Sequence, residues 1–230
     1  AGARPNFMKI APIVRALDAR RDAFDYRIVH TGQHYDREMS DVFFEELGIP
    51  KPDFHLEAGG GSHATQTAKI MVAFEEICQR QRPDCVLVVG DVNSTLACSI
   101  VAKKLHIPVA HVEAGLRSGD LRMPEEINRL VTDSISDWFF VTEPAGQANL
   151  LREGKREDQV FFVGHVMVDN LFYQRDQLAA ADKSSFESES LKQRLGRYGV
   201  VTMHRPSNVD DRATLSGIAG ALREIAAKLP

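Results

Sequence analysis

The chain has 230 residues, of which 43% are apolar and 26% are charged, and its formal net charge is −4 at pH 7. This apolar content can fill one large core or two modest ones, so the composition excludes a disordered or fibrous protein. The slightly acidic balance provides no general basic field, which argues against nucleic acid as a partner. Any anionic ligand must therefore be met by local cations.

Three cysteines lie inside apolar patterns, without a Cys-x-x-Cys spacing. An odd number in such a setting predicts buried free thiols in a reducing compartment. No apolar run approaches the length of a membrane span, and the first residues do not have the pattern of a signal peptide. We therefore expect a cytoplasmic protein that has no membrane partner.

The chain opens with a glycine turn, AGARP, which leads directly into a helix with apolar residues at helical spacing. In an α/β fold such a turn normally follows a strand, so we expect the chain to begin just after its first strand. Arg4 and Lys9 flank the turn near the positive end of the helix. Two cations and the free backbone N–H groups of that end suit a phosphate or a carboxylate.

The following segments alternate between predicted strands and predicted helices. A strand at 26–30 is followed by Thr31 to His34 and by a helix to about Leu47, and Ser62 or Thr65 can cap a long helix to about Arg80. Continuous apolar runs predict further buried parallel strands at 86–89, 107–110, 138–141 and 160–163, with helices at 93–105 and 144–152. The pattern indicates an α/β fold.

The pattern changes after Gly164. We predict a helix at 166–178, a polar stretch at 179–189, a strand at 199–203 and an amphipathic helix at 215–229. Residues 1–163 are predicted to form a nucleotide-binding-like domain. Residues 164–230 then form the opening part of a second domain, which has too few elements to bury a core of its own.

Two acidic residues follow neighbouring predicted strands. Asp91 follows the strand at 86–89 after one glycine, and Glu113 follows the strand at 107–110. Ligands of open α/β sheets bind beyond the carboxyl ends of the strands, so both acids are candidates for chemistry. Asp91 could instead cap the next helix, but Asn93 is better placed to do so, and no helix begins at Glu113. A functional role is favoured for both.

Glu125 and Glu126 open another helix behind Pro124, where the helix dipole alone favours negative charge. Glu125 and Arg129 are four residues apart and share a helix face, so a plain ion pair and a catalytic role are equally supported. His204 and Arg205 follow the strand at 199–203, and a turn and a phosphate site are equally supported there.

The sequence has no pattern that predicts a metal or a cofactor. His111 and Glu113 alternate on one strand and face the same way, but two residues do not make a metal site. The triple glycine at 59–61 lacks the P-loop lysine and the G-x-G-x-x-G spacing of a dinucleotide site.

Six motifs together resemble the bacterial non-hydrolysing UDP-N-acetylglucosamine 2-epimerases, in that family's order and at near-identical intervals: GARPNFMKIAP, HTGQHYDREM, VVGDVNSTLA, HVEAGLRSGDL, MPEEINR and VTMHRPSN. The resemblance implies two Rossmann-like domains of the glycosyltransferase-B type, the second incomplete in this chain, with the substrate in the cleft between them. It also implies a homodimer that converts UDP-N-acetylglucosamine reversibly to UDP-N-acetylmannosamine for surface polysaccharide synthesis. UDP is eliminated to give a 2-acetamidoglucal and is then added back, without cofactor or metal.

The resemblance also assigns roles to residues. It matches Asp91, Glu113 and Glu125 to the catalytic acids, and it leaves open which of them is the base. The matched substrate-binding residues are Arg4, Lys9, Arg129, His204 and Arg205. Gln33 and His34 match an allosteric pocket for a second UDP-sugar, but Asp36 and His63 stand where some relatives have glutamine.

Departures from the family pattern leave other interpretations open. The family's second domain continues past the position of Pro230 into a region that holds the diphosphate and ribose, so we expect a polypeptide of only these residues to bind UDP weakly and turn over little. A hydrolysing epimerase, a glycosyltransferase on the same scaffold and a non-catalytic UDP-sugar-binding module are the alternatives. The sugar could also be a 3-acetamido or uronic derivative.

Overall fold

The computed structural model describes residues 1–2, 4–32, 44–203 and 206–228. The chain forms two compact units, Ala1–Arg175 and Asp176–Pro230. The first unit extends beyond the predicted boundary at 163 because the helix that follows packs on the first helix, where Arg15 Nη2 donates to Asn170 Oδ1 at 2.9 Å. The assignment of the two parts as domains stays a prediction.

Helices and short parallel strands make up the first unit. Its elements are, in chain order, α1 (Arg4–Asp18), β1 (Val29–His30), β2 (Phe54–His55), α2 (His63–Gln81), β3 (Val86–Val89), α3 (Asn93–Lys104), β4 (Val109–Val112), α4 (Pro124–Ile135), β5 (Trp138–Val141), α5 (Pro144–Arg152), β6 (Val160–Phe162) and α6 (Val166–Ala180). The boundary between the units falls within α6, and the second unit contains α7 (Glu187–Leu195), α8 (Pro206–Val209) and α9 (Arg212–Lys228).

The main sheet is parallel and has the order β3-β4-β5-β6, while β1 and β2 form a separate parallel pair. Val86 lies opposite Val109, and Ala110 lies opposite Trp138. One helix connects each strand of the main sheet to the next, so all four carboxyl ends lie along the same edge. The side chains that follow β3 and β4 are therefore neighbours.

Apolar side chains from α2, α3 and the first strands of the main sheet form the largest core cluster, which includes Ile70, Phe74, Ala97, Val101 and Val109. Ser62 caps α2, as predicted, because its Oγ accepts a hydrogen bond from the Thr65 backbone N at 3.2 Å. This packing fixes α3 behind the β3 carboxyl end, from which Asp91 follows.

Two local predictions are wrong. The strand predicted at 107–110 is Val109–Val112, because pairing with β3 begins at Val109, so Glu113 follows the strand directly. Asn93 does not cap α3: the cap residue is Val92, and the Asn93 side chain donates instead to Gln66 Oε1 at 2.7 Å. Tertiary polar partners outcompete the local cap.

A groove of about 700 Å³ lies beside β3 and is lined on its other side by residues of β1 and by α1. Ala1 stands at this groove, where its ammonium donates to Val29 O at 2.7 Å and its carbonyl accepts from Thr31 N at 2.8 Å. These are the bonds of a strand residue beside β1. That a strand precedes α1 stays a prediction.

The strand predicted at 199–203 is not formed, and the part of Asp176–Pro230 that the structure describes contains no strand. Val200 is 79% exposed and Val201 is 56% exposed. A strand needs a neighbour to satisfy its backbone groups, and the described residues of this unit supply none.

Cys78 and Cys98 are buried free thiols, as predicted, but Cys85 is exposed. Cys85 immediately precedes β3, whose outer side faces the groove, and none of the described residues covers it. None of the described helices combines the length and the apolar character needed to cross a membrane.

Candidate active site

Asp91 is held by two neighbouring residues of α4. Its Oδ2 accepts hydrogen bonds from Arg129 Nη2 at 2.6 Å and from Arg129 Nε at 3.1 Å. Its backbone carbonyl accepts from Asn128 Nδ2 at 2.8 Å. Both the carboxylate and the main chain of Asp91 are thus fixed by the helix that follows β4.

Glu113 lies directly after β4 and is 7% exposed. Its Oε2 is bonded to Lys9 Nζ, and His165 Nε2 lies 3.9 Å from its Oε1. Glu113 has a φ of 68°, which is left-handed backbone for a residue with a side chain. Such a conformation costs about 1–3 kcal/mol and is concentrated at functional sites, which supports a functional role.

Gly90 brings the two acids together. Its φ is +72°, and a Cβ at this position would lie 3.2 Å from Lys9 Nζ and 3.3 Å from Glu113 Oε2. Glycine suits this position, because it adopts a positive φ without strain and leaves room for the Lys9–Glu113 pair beside the main chain that carries Asp91. Two predicted acids and two predicted cations therefore gather at adjacent strand ends, each acid beside one cation.

The structure distinguishes Glu125 from Glu126. Glu126 is 2% exposed, and its carboxylate accepts from the backbone N of Ser118 and of Gly119, both at 2.9 Å, and from Arg129 Nη1 at 2.7 Å. Burial by itself raises the pKa of Glu126, but these donors outweigh it and lower the pKa to about 2. Glu126 is a fixed anion that holds the loop before α4.

Glu125 remains the candidate for chemistry. Of the two alternatives left open for Glu125, the plain ion pair with Arg129 is not formed, because Arg129 bonds Glu126 and Asp91 instead. Glu125 is partly exposed and makes no hydrogen bond or ion pair within the described ranges. It lies in the first turn of α4, on the same helix as the residues that hold Asp91.

Burial and the two neighbouring carboxylates change the pKa of Arg129 in opposite directions. Desolvation lowers the pKa of Arg129, but the hydrogen bonds from Arg129 to Glu126 and Asp91 raise it overall. Arg129 is thus a permanent cation with two anionic partners, and it is oriented by them toward the β3 end.

Several predicted residues cannot be placed in this arrangement. Gln33, His34, His204 and Arg205 lie outside the described residues. Arg4 begins α1, but its side chain is also outside them. Where the structure describes the chain, no group of three histidine, cysteine or acidic side chains is arranged to hold a metal ion.

Sequence reasoning missed the residues that support the acids. Asn6 Nδ2 donates to Val89 O at 3.1 Å and ties α1 to the end of β3. Asn128 lies within one of the six motifs, MPEEINR, but its contact with the Asp91 carbonyl depends on how α4 packs. Asn6 also lies within a motif, GARPNFMKIAP, but its bond to Val89 depends on how α1 packs against β3.

The comparisons with known proteins decide the family. The family model described as UDP-N-acetylglucosamine 2-epimerase matches residues 15–230. The chain belongs to the UDP-N-acetylglucosamine 2-epimerase family. The chain is 42% identical over 229 residues to the UDP-N-acetylglucosamine 2-epimerase of Methanocaldococcus jannaschii. The matched region covers 97% of this chain and 60% of that protein. It is 41% identical over 227 residues to the UDP-2,3-diacetamido-2,3-dideoxy-D-glucuronate 2-epimerase of Pseudomonas aeruginosa, covering 97% of this chain and 61% of the relative.

Solved structures of epimerases have the same fold. The crystal structure of the Methanocaldococcus jannaschii enzyme in complex with UDP-GlcNAc and UDP matches with a TM-score of 0.82 and 42% identity, over 97% of this chain and 60% of that one. The Neisseria meningitidis epimerase bound to UDP-GlcNAc matches with a TM-score of 0.74 and 32% identity, over 85% of this chain and 52% of that one. The predicted α/β fold of the glycosyltransferase-B type is confirmed. The chain spans about 60% of the length of the first of these epimerases.

Proposed function

We propose that this chain carries the catalytic acids of an epimerase that interconverts UDP-N-acetylglucosamine and UDP-N-acetylmannosamine. UDP is eliminated across C1 and C2 to give a 2-acetamidoglucal, and it is added back with the C2 proton on the opposite face. The observation that carries the proposal is the gathering of Asp91 with Arg129 and of Glu113 with Lys9 at adjacent strand ends. Membership of the epimerase family supports it.

The arrangement suits both halves of this chemistry. The hydrogen at C2 is weakly acidic, so its removal needs a positioned base, and its return on the other face needs a positioned acid. Asp91, Glu113 and Glu125 are the three carboxyl groups proposed for these duties. The departing diphosphate gains negative charge, which fixed cations stabilise. We expect Lys9 and Arg129 to supply the positive charge that stabilises the diphosphate. A diphosphate that attracts these two cations also weakens their bonds to Glu113 and Asp91.

The remaining parts of the proposal concern the whole protein. Arg4, His204 and Arg205 contribute to substrate binding, and Gln33 and His34 to an allosteric pocket. We propose a cytoplasmic homodimer that works without metal or cofactor and supplies UDP-N-acetylmannosamine for surface polysaccharide synthesis.

A second substrate is supported by a specific comparison. The relative from Pseudomonas aeruginosa, named for a 2,3-diacetamido uronic acid derivative, is nearly as similar as the first relative, at 41% against 42% identity. The carboxyl groups described here act at C2, which both sugars share. Both UDP-sugars are therefore tested in parallel.

The test is turnover in D₂O by the protein that carries this sequence. The proposal expects deuterium at C2 of the recovered UDP-sugar and no free sugar. Free N-acetylmannosamine would instead indicate a hydrolysing epimerase. Transfer of the sugar to an acceptor would indicate a glycosyltransferase, and UDP binding without turnover a binding module.

Two substitutions test the acids directly. Asp91→Asn and Glu113→Gln are each expected to lower kcat by about 10²–10⁴-fold, the range for loss of a general acid or base. UDP affinity should stay close to that of the parent. Asp158→Asn is the matched control, because Asp158 is exposed and pairs with its neighbour Arg156, away from the site. Full turnover in both acid variants would contradict the assignment.

A further inference from the structure

A buried histidine and aspartate lie beneath the two acids. His111 and Asp133 are both 0% exposed. His111 Nδ1 lies 2.6 Å from Asp133 Oδ1, and His111 Nε2 lies 2.9 Å from the backbone O of Gly90. Nothing in the reaction proposed above uses either side chain.

Both partners of the imidazole are acceptors. A backbone carbonyl can only accept, and a carboxylate can only accept, so both ring nitrogens must carry hydrogen for both bonds to form. The second oxygen of Asp133 accepts from Gly115 N at 3.0 Å and from Arg117 Nη1 at 2.8 Å. Burial raises the pKa of Asp133, but its bonds to His111 and Arg117 outweigh burial and lower it, so Asp133 is a carboxylate and accepts.

The pair connects the two turns that carry the acids. Gly90, which bonds His111, immediately precedes Asp91 in the chain. Gly115, which bonds Asp133, follows Glu113 by two residues. The His111–Asp133 pair thus fixes the main chain on either side of the candidate site. Arg117 holds Asp133 in place and is itself bonded to Glu153 at 2.6 Å.

We propose that His111 is a buried imidazolium which, together with Asp133, positions Asp91 and Glu113 for the reaction at C2. The inference rests on the proposed function for its catalytic part and on geometry alone for the charge of His111. His111 and Asp133 are positioning residues, since neither is placed to touch the sugar. A misplacement of about 1 Å in a catalytic group can cost about 10²-fold in rate, so fixing both turns with one ion pair has a kinetic benefit.

The charge of His111 is tested by ¹⁵N NMR of the histidine side chains. The surrounding titratable groups are Asp133 on α4, Arg117 and Glu153 behind it, and Lys9 and Glu113 on the far side of Gly90. We expect the spectrum at pH 7 to show a proton on both His111 nitrogens, because each nitrogen faces an acceptor. A His111 with one unprotonated nitrogen would overturn the proposal.

Asp133→Asn gives a sharper spectroscopic result. The amide presents an N–H group to His111 Nδ1 in place of a carboxylate oxygen, so that nitrogen should lose its proton while Nε2 keeps its bond to Gly90. A His111 that keeps both protons in this variant would contradict the pairing. His111→Gln assigns the resonances, because it removes only the His111 signals. If Asp133→Asn fails to fold, the parent spectrum still decides the charge of His111.

The catalytic part is tested by kinetics on the protein that carries this sequence. Asp133→Asn and His111→Gln should each lower kcat by about 10- to 100-fold while KM for the UDP-sugar changes by less than about threefold. His55→Gln is the control, because His55 is an exposed strand histidine outside the site. Unchanged kcat in a folded variant would overturn the positioning role. Lack of turnover in the parent would defeat the proposed function instead, and the NMR result would still decide the charge of His111.

Discussion

Glu125 and Glu126 are adjacent and chemically identical, but they have different surroundings. Glu126 points into the loop before α4 and accepts bonds from two backbone N–H groups and from Arg129. Glu125 is partly exposed at the start of the same helix. One residue therefore stabilises the loop, while the other stays available for chemistry.

The loss of the Glu126 charge should destabilise the fold. In Glu126→Gln the charge-assisted bonds to the loop and to Arg129 weaken, and we expect the free energy of unfolding to fall by about 2 kcal/mol at pH 7. The pKa of Glu126 is lowered from 4.5 to about 2 in the folded chain. The stabilisation is therefore complete above about pH 4.5 and is lost as the pH falls toward 2.

Urea unfolding of parent and variant at several pH values checks this. The difference between the two should shrink as the pH drops below about 4.5, because protonation removes the same charge that the substitution removes. Glu76→Gln, at an exposed position of α2, is the control and should show little difference at any pH. A constant difference between parent and Glu126→Gln would show that the charge is not the cause.

At the scale of elements, the turn after β4 packs directly against the start of α5. Gly115 has a φ of +79°, and a Cβ there would lie 2.3 Å from the backbone O of Gly146. Asn149 Nδ2 also donates to Gly115 O at 2.9 Å. This contact sets where Glu113 stands, because only one residue separates it from Gly115.

Gly115→Ala should destabilise the chain strongly. The new methyl group meets backbone atoms, which cannot rotate away, and the left-handed conformation adds strain. Gly154→Ala is the matched control for Gly115→Ala. Gly154 has a similar φ of +84°, but a Cβ there would meet no atom within 4 Å. We expect Gly115→Ala to lower the free energy of unfolding by at least about 2 kcal/mol more than Gly154→Ala does. Equal effects in thermal or urea unfolding would contradict the close contact.

At the scale of the whole molecule, the three cysteine thiols differ in how deeply the fold of the first unit buries them. Cys98 and Cys78 belong to the core cluster of α2, α3 and β3. Burial raises the pKa of the Cys98 thiol to about 12 and that of Cys78 to about 11. Cys85 is exposed at the groove, although partial burial of its thiol also raises its pKa.

A disulfide exchange reagent should therefore modify one thiol in the native protein. Cys85 should react first, and Cys78 and Cys98 only when the core opens, because reaction needs an accessible thiolate. Release of the chromophore over time, with and without denaturant, measures this, and Cys85→Ser should remove the early phase. Modification of all three at one rate in the native state would contradict the described core.

Sequence patterns alone predicted most of the helices, three of the four strands of the main sheet and the family. Buried strands and amphipathic helices depend on apolar periodicity, which is a local property of the chain. The same reasoning put Asp91 and Glu113 at neighbouring strand ends, because consecutive parallel strands with one crossover between them end at the same edge.

The partners of those acids could be decided only by the tertiary structure. Arg129 bonds Glu126 and Asp91 and not Glu125, and Asn93 leaves the helix cap to bond Gln66. The buried pairing of His111 with Asp133 joins residues that are far apart in the chain. Such choices depend on distances between packed elements, and a hydrogen bond changes with a few tenths of an ångström that no sequence spacing records.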